Sequence, residues 1–98
     1  MEAGVVYVVC DADAASGSVQ RYKIGKHTGS REDLIKRYKT YLPRVEVLRF
    51  VSVPRARMVE AYIQRTLVDS RIDQSEWFQI DESDLLTVFD NCVDEFIV

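Results

Sequence analysis

The chain is 98 residues long, 47% hydrophobic and 30% charged, which suits one ordinary domain and excludes a multidomain enzyme, a disordered chain, a collagen-like repeat and a disulfide scaffold. Its net charge of -3 conceals three blocks: residues 1–20 sum to -3, residues 21–65 to +8 and residues 66–98 to -8. The central block reads either as the footprint of a polyanion site or as a solvated surface with charge on both faces, and the acidic end would turn away from such a ligand.

Residues 4–10 (Gly-Val-Val-Tyr-Val-Val-Cys) are β-branched and aromatic and run into the small polar stretch 11–18, so they predict a strand and a loop. Residues 19–25 repeat the strand pattern, and the two runs pair most simply as an antiparallel hairpin. A loop symmetric about Ala15 would set Tyr7 opposite Lys23, although a bulge would change that register.

Ser30 followed by Asp33 resembles a capping box and predicts a helix from there to about Tyr41, stopped by Pro43. Residues 45–53 read as a well-buried strand. Pro54 suits the first turn of a second helix, in which Val59, Tyr62, Ile63, Thr66 and Leu67 recur at helical spacing to roughly Ser70. Residues 76–80 (Glu-Trp-Phe-Gln-Ile) predict a short strand or extended segment, with Trp77 and Phe78 in the core. A second helix start at Asp81 to Asp84 leads into Leu85, Leu86, Val88, Phe89, Cys92, Val93, Phe96 and Ile97, an amphipathic C-terminal helix over about 82–97. The order β-β-α-β-α-β-α predicts a single α+β domain: a small central antiparallel sheet, hairpin plus third strand, flanked by helices.

No apolar run is long enough to cross a bilayer, and the first residues carry no positive region followed by an apolar stretch, so neither a membrane span nor secretion is expected. Cys10 and Cys92 form no CxxC pair, and His27, the sole histidine, cannot complete a zinc cluster. Reduced intracellular thiols are expected, with Cys10 packed in its strand.

Gly4-Val5-Val6-Tyr7, a loop, and then Tyr22-Lys23-Ile24-Gly25-Lys26 resemble the paired signature of the GIY-YIG nuclease superfamily, in particular a branch common in bacteriophages and large DNA viruses. Lys36-Arg37-Tyr38, Glu60 and Glu76-Trp77-Phe78 follow in the order of that pattern, so the resemblance covers about residues 4–80. It implies a GIY-YIG-like fold and hydrolysis of DNA phosphodiester bonds with one divalent ion, Mg²⁺ or Mn²⁺. By position, Tyr7 matches the proposed general base, Lys23 takes the slot of the second signature's tyrosine, Arg37 matches the arginine on the scissile phosphate, and Glu60 matches the metal-holding carboxylate. Tyr41 stands where the family often places a further polar side chain. The resemblance also implies a viral or phage protein, in the cytoplasm, or the nucleus of a eukaryotic host. One feature departs from the pattern: the family's further asparagine has no counterpart, because the sole asparagine is Asn91 in the terminal helix. Gln74, Ser75 or Glu76 fills in for it, or the chemistry is absent.

The chemistry can be read without the family. A phenol with a pKa of about 10 needs a nearby cation or metal to act as a base at neutral pH, and Lys23 across the hairpin is a candidate. Arginine offers a planar fork to phosphate oxygens and stabilises charge that grows in the transition state. Mg²⁺ takes oxygen ligands and needs only one or two protein carboxylates. Surface roles stay open for these residues: Arg37 could yield to Lys36, Lys39 or Arg31, Glu60 could pair with Arg57 or Arg65, and His27 could be a solvated turn residue. Lys26, His27, Arg31, Lys36, Lys39 and Arg44 are candidate DNA-backbone contacts. Two rivals remain: a nucleic-acid-binding module without catalysis, and an interaction domain whose row Leu85, Phe89, Val93 and Phe96 docks a partner, a homodimer being possible.

Overall fold

A computed structural model describes residues 3–11, 21–40, 42–72 and 77–97. Its elements are β1 (Gly4–Asp11), β2 (Tyr22–His27), α1 (Arg31–Lys39), β3 (Val45–Val53), α2 (Ala56–Thr66), a 3-10 turn (Val68–Ser70), β4 (Trp77–Phe78) and α3 (Glu82–Ile97). The strands form one sheet in the order β3-β1-β2-β4, with every neighbouring pair antiparallel. The α+β class and the order of elements are as expected from the sequence.

β1 lies between two strands and two helical layers, so Val5 to Cys10 are all buried and the strand is apolar on both faces rather than alternating. The two-residue period divides its side chains. Tyr7 and Val9 pack with Leu34 and Tyr38 of α1, whereas Val6, Val8 and Cys10 pack with α2 and α3. Cys10 and Cys92 are buried free thiols.

Local chemistry explains the helix ends. Ser30 Oγ accepts a hydrogen bond from the Asp33 amide at 3.1 Å, and Glu32 and Asp33 in the first turn with Lys36, Arg37 and Lys39 in the last complement the dipole of α1. Asp81 Oδ2 likewise accepts from the Asp84 amide at 3.3 Å, before α3. α2 is shorter than its periodicity suggests. It starts at Ala56 after an N-cap, Arg55, that makes no side-chain cap bond, and it gives way at Leu67 to the 3-10 turn.

Leu85, Phe89 and Val93 of α3 are buried against α2 and the sheet, with Phe96 packed beside them. The apolar row therefore closes the protein's own core, and each such side chain contributes roughly 1.5–3 kcal/mol. Further ties hold α3 in place. Arg49 grips Asp90 through Nε at 3.0 Å and Nη2 at 3.1 Å, and the Tyr22 hydroxyl donates to Glu82 Oε1 at 3.1 Å. Burial first, and then the Glu82 bond, raise the Tyr22 phenol well above its ordinary range, and burial pushes the Cys92 thiol up.

The hairpin register corrects the expectation from loop symmetry: Tyr7 pairs with Gly25, and Lys23 pairs with Val9. The displacement is two residues, an even number, so Lys23 stays on the face that carries Tyr7 but one pair away from it. Phe78 is buried as expected, whereas Trp77 is only half-buried.

Candidate functional site

Among the described residues, β4 pairs with β2 at Tyr22 and Lys23. α1 and α2 lie on opposite faces of the sheet and meet around β2.

On the α1 face, the Tyr7 ring crosses directly over Gly25. A β-carbon at Gly25 would stand 2.5 Å from the Tyr7 hydroxyl oxygen and 2.7 Å from Cζ, so only glycine leaves room for the phenol. The Tyr7 hydroxyl lies 2.7 Å from that of Tyr38 inside the protein, and the two rings meet edge to face with centroids 6.0 Å apart. Lys23 Nζ stands 5.3 Å from the Tyr38 ring centroid, and Arg37 Cζ stands 6.0 Å from it. Lys23 thus stands over the ring of Tyr38, and Tyr38 is hydrogen-bonded to the Tyr7 hydroxyl. Both tyrosines are buried, Tyr7 at 2% exposure and Tyr38 at 0%.

Tyr38 was visible in the sequence as part of Lys36-Arg37-Tyr38 but carried no role. Its one local signal is the position four residues after Leu34, which puts a hydroxyl-bearing ring on the buried stripe of α1.

At the end of β2, a cavity of about 360 Å³ opens between the layers, lined by Lys26, His27 and Thr28, by Arg37 from α1, and by Ala56 and Arg57 from α2. Three of the candidates, Lys26, His27 and Arg37, therefore share one space. Arg57 joins them, although the sequence offered it only as a pairing partner for Glu60. His27 Nε2 is fully buried with no hydrogen-bond partner among the described residues.

Glu60 is half-buried on α2, one turn beyond Ala56 and Arg57 and one turn before Gln64. Gln64 Nε2 donates to the Ile24 carbonyl at 3.2 Å, which holds that stripe of α2 along β2. Glu60 thus belongs to the helix on the face opposite Tyr7 and does not line the cavity.

The remaining candidates lie elsewhere. Arg31 Nη2 donates to the Val47 carbonyl at 3.3 Å, on the far edge strand β3. Lys36 and Lys39 are exposed on α1 and Arg44 is exposed before β3; none of these four lines the cavity. Tyr41 and residues 73–76, with Gln74, Ser75 and Glu76, lie outside the described residues. Among the described residues no group of three or more His, Cys, Asp or Glu side chains is gathered as a metal cage, and no helix is long and apolar enough to cross a membrane. A divalent ion held by Glu60 would complete its shell with phosphate oxygens and water. That suits Mg²⁺, which retains water and binds through few carboxylates.

The sequence pattern of the T5orf172 domain matches residues 4–95. Two proteins of Acanthamoeba polyphaga mimivirus are also similar. Uncharacterized protein R10 is 43% identical over 61 residues, covering 57% of this chain and 16% of R10. Uncharacterized protein R9 is 42% identical over 65 residues, covering 61% of this chain and 17% of R9. The chain spans about a sixth of the length of these relatives. No solved structure matches it.

Proposed function

The chain belongs to the T5orf172 domain family, a domain associated with endonuclease-like proteins, and on that premise we propose that it is a GIY-YIG-type endonuclease that hydrolyses DNA phosphodiester bonds with a divalent metal. The observation that supports this reading is the cationic cavity between the two helical layers, to which α1 contributes Arg37, the neighbour of the buried Tyr38, and α2 contributes Arg57, one helical turn before Glu60.

Each group has a distinct part. Arg37 binds the phosphate through paired N–H donors and stabilises the extra charge of the pentacoordinate transition state. Tyr7 takes a proton from the attacking water. Tyr38 orients the Tyr7 hydroxyl, and Lys23 stands over the Tyr38 ring. Glu60 holds Mg²⁺ or Mn²⁺, which when bound supplies charge stabilisation at the phosphate and a more acidic water.

One observation favours a second reading, a DNA-binding module without catalysis: the Tyr7 hydroxyl is engaged inside the protein, which limits the approach of water. Cleavage of plasmid and branched DNA with Mg²⁺ and Mn²⁺ tests the choice. The nuclease reading expects wild-type cleavage that Glu60→Gln lowers at least a hundredfold, with DNA binding in EDTA retained. Wild-type protein that binds DNA but cleaves no faster than Glu60→Gln establishes the second reading instead.

A further inference from the structure

Arg57 has no place in the chemistry above, yet it is the one guanidinium that α2 contributes to the cavity. Lys26 from β2, Arg37 from α1 and Arg57 from α2 bring three positive side chains to a lining in which the described residues include no carboxylate. Among the described residues none offers Lys26 or Arg57 a hydrogen bond or an ion pair. His27 and Thr28 are the other polar residues of the lining, and the buried His27 Nε2 lies on the side of Gly29 and Asp33. Gathering cations around a shared space without counter-charge is unfavourable unless an anion enters it.

The local sequence of α2 points the same way. Arg55 at the N-cap makes no side-chain cap bond, and the first turn has no acidic residue. Arg57 therefore places positive charge at the positive end of the helix dipole, where Asp or Glu is the stabilising choice. Departures from local rules of this kind collect at functional sites. A volume of about 360 Å³ exceeds what a small ion needs and is within the range of pockets that accept an organic group.

The geometry points to a phosphodiester clamp: Arg57 and Arg37, one from each helical layer, grip the backbone of a nucleic-acid strand between them, with Lys26 and His27 at its floor. This rests on the reading of the cavity as a DNA site and extends it, because it gives Arg57 an internal backbone phosphate next to the one that is cleaved. The clamp holds phosphate by charge and fork geometry, so it reads no base sequence.

Anisotropy of a labelled oligonucleotide duplex, titrated in EDTA over a range of salt concentrations, tests the clamp without cleavage. Arg57→Gln should weaken binding uniformly across sequences and lower the slope of log affinity against log salt by about one. Arg57→Lys should keep the slope and lose part of the affinity, because lysine keeps the charge without the fork. Arg65→Gln removes the same charge about 12 Å further along α2, away from the cavity, and should run parallel to wild type. Duplexes with and without a 5′-phosphate should bind alike. Parallel Arg57→Gln and wild-type titrations, equal losses for Arg57→Gln and Arg65→Gln, or a requirement for the 5′-phosphate would each overturn the clamp. Normal binding without cleavage would overturn the nuclease reading and leave the clamp standing.

Discussion

Tyr7→Phe is expected to slow DNA cleavage by about 10²–10⁴-fold, the range for a general base, while the domain stays folded. The substitution removes one oxygen and keeps the ring that fills the α1 face of the core. Its structural cost is the hydrogen bond to Tyr38, a net loss of about 1 kcal/mol, or up to roughly 3 kcal/mol if the remaining hydroxyl is poorly satisfied. Tyr38→Phe breaks the same bond from the other side and so serves as the matched control. Both variants should lose similar stability in urea melts, but single-turnover cleavage should suffer more in Tyr7→Phe, because only there is the reacting oxygen gone. Equal rates for Tyr7→Phe and wild type would leave the phenol a packing residue and favour the binding module.

Gly25→Ala should damage fold and activity together. The added methyl would stand 2.5 Å from the Tyr7 oxygen and 2.7 Å from Cζ, well inside contact distance, and the ring cannot tilt freely because Tyr38 holds its far end. Overpacking of this kind costs about 1–3 kcal/mol, and each kcal/mol lowers Tm by about 4–8 °C in a domain of this size. Cleavage should fall at least as far as in Tyr7→Phe, since the phenol is displaced with its partner. Gly4→Ala is the comparison. Its β-carbon would meet Ala56 Cβ and the His27 carbonyl at 3.2 Å, a tight fit without the severe overlap, so its loss should be smaller. A Gly25→Ala protein with wild-type Tm would contradict the packing of Tyr7 over Gly25.

What could be read from the sequence follows the range of the physics involved. The order of elements was legible because helix and strand periods are local, as were the Ser30 cap of α1 and the apolar row of α3. The hairpin register was not, because nothing in the residues of a long loop fixes where its centre falls. The start of α2 was misplaced for a similar reason: Pro54 suits a first turn, but Arg55 supplies no cap to mark the boundary. At the site, the signatures named Lys26 and Arg37, which line one cavity, and also Tyr7 and Glu60, which belong to opposite faces of the sheet. They did not reveal that Tyr38 holds Tyr7 or that Arg57 shares a cavity with Arg37. These pairs join elements remote along the chain, and the tertiary contacts that create them leave no periodic trace.

The central claim, that a metal-binding carboxylate on α2 and a phenol pair under α1 serve one space around β2, is tested most directly by Mn²⁺. Substoichiometric Mn²⁺ added to labelled protein with a short DNA duplex should first broaden the NMR signals of Glu60, Gly25, Lys26 and Arg57, and Glu60→Gln should abolish the effect. Broadening confined to the acidic start of α3 around Glu82 and Asp84, with the residues of β2 untouched, would contradict it.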